Sequence, residues 1–301
     1  MGDAYAGAVV QPDDVPYQQL WCDRGEERLG VHLYEAPSPH APAVVIWSAM
    51  GVPARFYRPF ALRLQQEGLA VAVVDLRGTG SSTPRPTRAS RYGYTELVDD
   101  VAAVLAEVKC ALGNRRLVLL GHSLGGVLCL IHLARSAADR MAVGGRAVDP
   151  EIDGLVLVAT GLPYWRLFPG VRRFGLLLAA AAMRAIATVV GVWPGWGFGG
   201  RQARGVIRDW AFTIRTGRLS RIAGREVMPD LPLVATPVLA ISFEQDQLTP
   251  APVLDRLIGM LSAPVRREHY DGGADHFTWA RHDTTPVAER VAAFARSLPV
   301  S

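Results

Sequence analysis

Arg116-Leu117-Val118-Leu119-Leu120-Gly121-His122-Ser123-Leu124-Gly125-Gly126 is the stretch that decides the fold. Four apolar residues in a row after Arg116 have the pattern of a short strand covered on both faces. The run passes straight into Gly121, and residues 124 to about 138 carry apolar side chains at helical spacing. Strand, tight turn and helix therefore follow one another without a linker. In that setting Gly-x-Ser-x-Gly makes a nucleophile elbow: the serine takes a strained backbone conformation, and the glycines on either side leave room for it. The free N–H groups that open the following helix point toward the same serine.

Working outward, the same alternation recurs. Residues 17–22 and 29–35 read as two strands with partly alternating polarity, closed off by the Pro-rich segment 36–42. Residues 43–47 (AVVIW) and 70–74 (AVAVV) are further apolar strands, separated by a helical stretch at 56–66 that Gly68 ends. A long helix spans about 95–112, and a fourth buried strand follows the elbow helix at 154–159. The order predicts an α/β chain with a mostly parallel central sheet and helices on both faces. Alternation stops at Gly161 and resumes at Pro237 with a strand (237–242), a helix (250–261), a strand (265–270) and a last helix (286–298). Residues 161–236, rich in Trp, Gly, Pro and Arg and with no convincing strand, read as a helical insertion. Residues 1–160 and 237–301 form the core around it.

A serine hydroxyl needs a base to take its proton and donors to hold the developing oxyanion. The mechanism calls for an acid and then a histidine later in the chain. Asp246 follows the strand at 237–242, and His276 lies in the loop between the strand at 265–270 and the final helix. Ser123 is thus the expected nucleophile, His276 the base, and Asp246 the group that orients it. Glu244 and Asp271 are rival acids, and His269 and His282 rival bases, each less well placed against its strand. His122 is read as a packing residue and Asp275 as a turn residue. One oxyanion donor is expected at the N–H of Leu124. The second falls in the loop Ser48-Ala49-Met50-Gly51, where alignment on Tyr57 favours Met50 and leaves Ala49 open.

The elbow, the loop Asp75-Leu76-Arg77-Gly78-Thr79-Gly80-Ser81-Ser82 and the ordered Ser123, Asp246 and His276 together resemble the α/β-hydrolase superfamily over about residues 17–298. The likeness is to a bacterial branch in which Ala49-Met50-Gly51-Val52 replaces the His-Gly pair of many members. The resemblance implies the α/β-hydrolase fold, makes residues 161–236 a lid (cap) over the site, and gives the Arg77 loop a structural role. Trp165, Trp210 and Phe277 are the expected substrate contacts, on an apolar lid face suited to an uncharged, fairly hydrophobic group.

Composition narrows the field. In 301 residues, 50% are hydrophobic and 20% charged, enough for a substantial core. The net charge of +4 comes from scattered arginines, so no nucleic-acid partner is expected. Three distant cysteines (Cys22, Cys110, Cys129) suggest neither a disulfide framework nor a metal site, and no cofactor is implied. The N-terminus lacks the basic and apolar regions of a secretory signal. Residues 174–192 are apolar but interrupted by Arg184 and barely long enough to span a membrane. They read as a buried or interfacial helix in a cytoplasmic protein.

The leading reading is a serine hydrolase that cleaves a carboxylic ester or thioester through an acyl-Ser123 intermediate, with a small-molecule substrate that is free or carried by coenzyme A or a carrier. A second reading passes the acyl group to an alcohol or amine, as an acyltransferase or lactone-forming cyclase. A third makes the chain a non-catalytic binding protein, against which the intact set of Ser123, Asp246 and His276 argues.

Overall fold

The computed structural model describes residues 17–36, 38–145 and 152–299; the N-terminal stretch 1–14 and Pro37 of the Pro-rich segment lie outside them. The chain opens with a hairpin, β1 (Gln18–Arg24) and β2 (Glu27–Tyr34). β3 (Ala43–Trp47) leads through a 3-10 turn (Ala54–Tyr57) into α1 (Arg58–Gln66), then β4 (Ala70–Val74) and α2 (Tyr94–Leu112). β5 (Leu117–His122) runs directly into α3 (Leu124–Ala142), and β6 (Gly154–Val158) follows.

Between β6 and the next long strand lie α4 (Arg172–Val190), β7 (Val192–Trp193), β8 (Gln202–Ala203) and α5 (Arg204–Thr216). The core then resumes with β9 (Val238–Phe243), α6 (Ala251–Ile258), β10 (Val265–Tyr270) and α7 (Thr285–Ser297).

Among the described residues, eight strands form one sheet in the order β1-β2-β4-β3-β5-β6-β9-β10. β4, β3, β5, β6, β9 and β10 are mutually parallel, and β2 joins them antiparallel through β4. Every residue of β3, β4, β5, β6 and β9 is buried, which explains why their sequences are continuous apolar runs rather than alternating ones. Alternate side chains feed two cores. Val45, Trp47 and Leu119 pack with α2 and α3 on one face, while Val44, Ile46 and Leu120 pack with Phe60, Leu64, Val291 and Phe294 of α1 and α7 on the other. The chain has the α/β-hydrolase fold.

One detail departs from the sequence reading, and a second narrows it. Residues 161–236 do contain a strand pair, because Val192↔Ala203 and Trp193↔Gln202 are in register. Two residues per strand are too few to show alternation, and the connecting Gly195, Gly197, Gly199 and Gly200, all at positive φ, permit the closure. α4 is the helix read as buried or interfacial, and only Ala180, Met183 and Ala187 of its 19 residues are buried.

Candidate active site

Ser123 stands between the last residue of β5 and the first of α3, at φ 53° and ψ −118°. Such a backbone is strained for a residue with a Cβ. Close packing around the turn holds it. A Cβ on Gly121 would run into Gly126, and one on Gly125 into the carbonyl of Trp47, so both neighbours must be glycine. The Ser123 N–H donates to Val158 O at 3.2 Å, which ties the turn to β6.

Asp246 and His276 come from the loops after β9 and β10 and meet there. His276 Nδ1 lies 2.9 Å from Asp246 Oδ2, with both side chains almost fully buried. Burial alone would raise the Asp246 carboxyl. Its hydrogen bonds with His276 and with the hydroxyl and N–H of Thr249 outweigh that and hold it below the usual carboxylate range. An ionised Asp246 only accepts hydrogen bonds, so Nδ1 of His276 must carry the proton and Nε2 is the basic nitrogen.

Thr249 was not singled out in the sequence. Its hydroxyl lies 2.6 Å from Asp246 Oδ2, 2.9 Å from Ala159 O and 3.2 Å from His276 Nδ1. With one proton to give, the hydroxyl favours the charged carboxylate. The Leu248 and Thr249 N–H groups both donate to Asp246 Oδ1, so every oxygen of that carboxylate is engaged. An Asp followed by a Thr three residues later is a turn signal that sequence alone offered.

The rival groups lie elsewhere. Glu244 and Asp271 are exposed. His269 Nδ1 pairs with Ser242 Oγ at 2.8 Å. Asp275 accepts from the N–H groups of Phe277 and Thr278, as a turn residue does. His122 does more than pack. It is fully buried, its ring centroid is 4.9 Å from that of His276, and burial together with His276 holds its pKa well below the ordinary histidine value.

In the loop after β3, the Ala49 N–H donates to the Tyr57 hydroxyl at 2.9 Å. The same hydroxyl is hydrogen-bonded to His122 Nδ1 at 2.7 Å. Ala49 is therefore engaged. Among the described residues, no acceptor takes the N–H of Met50 or of Leu124. Below the loop, buried Asp75 accepts from Ala54 N–H and from Ser81, and so anchors it to the turn after β4. Above it, Gly51 (φ 71°) lies so close to Gly199 and Gly200 of the β7–β8 connection that a Cβ on Gly51 would strike the Gly199 carbonyl.

Ser123, His276, Thr249, Met50 and Leu124 line one cavity of about 220 Å³. Tyr94 and Thr213 also line it, and the rest of its wall is mostly apolar: Val127 and Leu162 from the core, Leu176, Ala179 and Met183 from α4, and Phe198, Trp210 and Leu248. Of the expected substrate contacts, Trp210 lines the cavity. Trp165 instead packs against Phe174, 5.7 Å between ring centroids, and beside Ala180, Ala211 and Ile214. Phe277 lies edge-on to His276 at 4.8 Å and packs against Phe56, so it backs the histidine and is not part of the wall. Among the described residues, no group of three or more His, Cys, Asp or Glu could hold a metal ion.

Parallel sheet, elbow and ordered loops are those of an α/β-hydrolase. The chain belongs to the family described as serine aminopeptidase, S33, whose match covers residues 38–279. Among characterised proteins it is 29% identical over 203 residues to a non-heme haloperoxidase of Rhodococcus erythropolis, spanning 63% of this chain and 69% of that one. Among solved structures it is similar to a highly thermostable carboxyl esterase from Bacillus coagulans, with a TM-score of 0.65, 14% identity, and 94% of this chain and 99% of that one covered. It is also similar to a thioesterase domain from the curacin biosynthetic pathway, with a TM-score of 0.58, 17% identity, and 93% and 99% covered. At these identities the structural likenesses establish the fold.

Proposed function

We propose that the chain hydrolyses carboxylic esters or thioesters of apolar acyl groups through an acyl-Ser123 intermediate. The observation that carries this reading is the shared cavity: the strained Ser123 and the Asp246-held His276 line one apolar chamber. His276 Nε2 removes the Ser123 proton as Oγ attacks the acyl carbon. The Met50 and Leu124 N–H groups receive the oxyanion, and their lack of another acceptor supports that role. His276 then returns the proton to the departing alcohol or thiol. Water repeats the sequence and frees the acid. Asp246, with Thr249, keeps the imidazole in the required tautomer and stabilises its charged form. Residues 161–236 act as the lid, because α4 and α5 supply Leu176, Met183 and Trp210 to the chamber wall.

Replacing Ser123 with Ala tests the assignment. Turnover of a short p-nitrophenyl ester and labelling by a fluorophosphonate probe should both vanish in a variant that melts like the parent. Full labelling of that variant would overturn it. The apolar wall also favours a second reading, acyl transfer to an alcohol or amine in place of water. Release of free acid alone at every acceptor concentration would rule that out.

A further inference from the structure

Among the described residues, the side of α4 turned away from the cavity is largely uncovered, the contact of Phe174 with Trp165 apart. Val171, just before the helix, and then Phe174, Leu178, Ala181, Ala185 and Val189 recur every three or four residues and form one stripe. Val171 is 83% exposed, Leu178 69% and Val189 88%. A continuous exposed apolar stripe marks a surface that meets something else. At 1.5 Å per residue it extends for about 28 Å.

Charge indicates what it meets. Residues 161–236 hold eleven arginines against Asp209, Glu226 and Asp230, a formal charge of +8, while the rest of the chain carries −4. α4 has no acidic residue and α5 has only Asp209, which is buried and already held by Arg208 and the Tyr94 N–H. Arg173 and Arg184 flank the stripe. A groove of about 420 Å³ between α4 and α5 takes in Ala181, Ala185 and Val189 of the stripe and has Arg184 and Arg215 in its wall. A second copy would bring two such cationic faces together. An apolar stripe flanked by arginines instead matches a helix lying in a bilayer interface, with its side chains among the acyl tails and its guanidiniums at anionic headgroups.

We infer that the outer face of α4 docks on an anionic lipid bilayer, with the apolar stripe in the interface and Arg173, Arg184 and Arg215 against the headgroups. The inner face of the same helix lines the chamber, so docking sets the lid directly on a reservoir of apolar substrate.

Co-sedimentation of the full chain with phosphatidylcholine vesicles, with and without phosphatidylglycerol, tests this. The protein should pellet with the anionic vesicles, more weakly as salt rises, and not with phosphatidylcholine alone. Arg184→Gln and Arg215→Gln should each weaken partitioning about five-fold. Leu178→Asp with Val189→Asp should abolish it. All these variants should keep the parent's melting temperature and its turnover of a soluble short-chain ester. Ser123→Ala should still pellet, which separates this inference from the hydrolase reading. Two outcomes would overturn the inference: no partitioning onto anionic vesicles, or equal, salt-insensitive partitioning onto both kinds. A dimer that Leu178→Asp dissociates, with no vesicle binding, would assign the stripe to a second copy instead.

Discussion

Tyr57 and His122 are joined by a buried hydrogen bond of 2.7 Å between the phenol hydroxyl and Nδ1. Because the same hydroxyl accepts from the Ala49 N–H, one side chain spans from the loop after β3 to the elbow. Tyr57→Phe should leave both groups buried and unpaired, at a cost of about 1–3 kcal/mol in stability. If the tether also sets the Met50 N–H, kcat should fall about ten-fold with little change in KM, less than the loss of an oxyanion donor itself. An unchanged kcat in a destabilised variant would confine Tyr57 to a structural role.

His122 gives stability a pH dependence. Its folded pKa is depressed by burial and by His276, so the unfolded chain binds a proton that the folded one refuses. Stability should therefore fall as pH drops below about 6.5, by up to about 1.4 kcal/mol per unit for this group. Asp246, also held low, adds a loss in the same direction below about pH 4. His122→Asn should flatten the first loss. Urea midpoints for both proteins on either side of that range would reveal it, and parallel curves would sink the idea.

Thr249→Val keeps the shape and removes the hydroxyl that faces Asp246, Ala159 and His276. The Asp246 carboxyl should rise toward its ordinary value, and the hold on the His276 tautomer should slacken. We expect kcat/KM to drop about ten-fold, a modest share of what general-base catalysis contributes. Thr249→Ser should restore most of it. Failure of Ser to rescue would point to packing by the methyl group instead.

The chamber sets a length rule. Each methylene that fits against Val127, Leu162 and Met183 should add about 0.8 kcal/mol, close to four-fold in kcat/KM, until the space is full. Val127→Phe should move the optimum to shorter acyl chains and leave acetate esters nearly unaffected. An optimum that does not move across a p-nitrophenyl ester series would place the acyl group elsewhere.

Away from the chemistry, Asp100 receives both Arg77 and Arg24 in the interior. Asp100→Asn would leave Glu27 as a remaining carboxylate partner of the buried Arg77, so the loss should fall below the ~3–5 kcal/mol of a buried pair broken outright. Thermal unfolding measures this directly.

How much of this was legible in the chain depended on distance along it. Ser123 and Asp246 could be singled out because each sits just past a continuous apolar strand, β5 or β9, whereas His276 follows β10, whose VRREHY carries no such run, and was reached through the order of the loops; parallel strands gather those ends at one edge. Tyr57 and Thr249 act through partners that no periodicity marks. Trp165 and Phe277 show the converse: large aromatic rings near the site whose direction only packing decides. In α4 the apolar composition was plain, but both of its faces are apolar, so the sequence had no polar side from which to infer which one points inward.

The abutment of Gly51 against Gly199 has a consequence for anyone who re-engineers this scaffold. Residues 161–236 are not an interchangeable cassette, because their glycine-rich turn is moulded onto the backbone beside Met50. A chimaera carrying a foreign insertion should inherit its specificity only if residues 49–52 travel with it. In evolutionary terms the two segments should change hands as a pair.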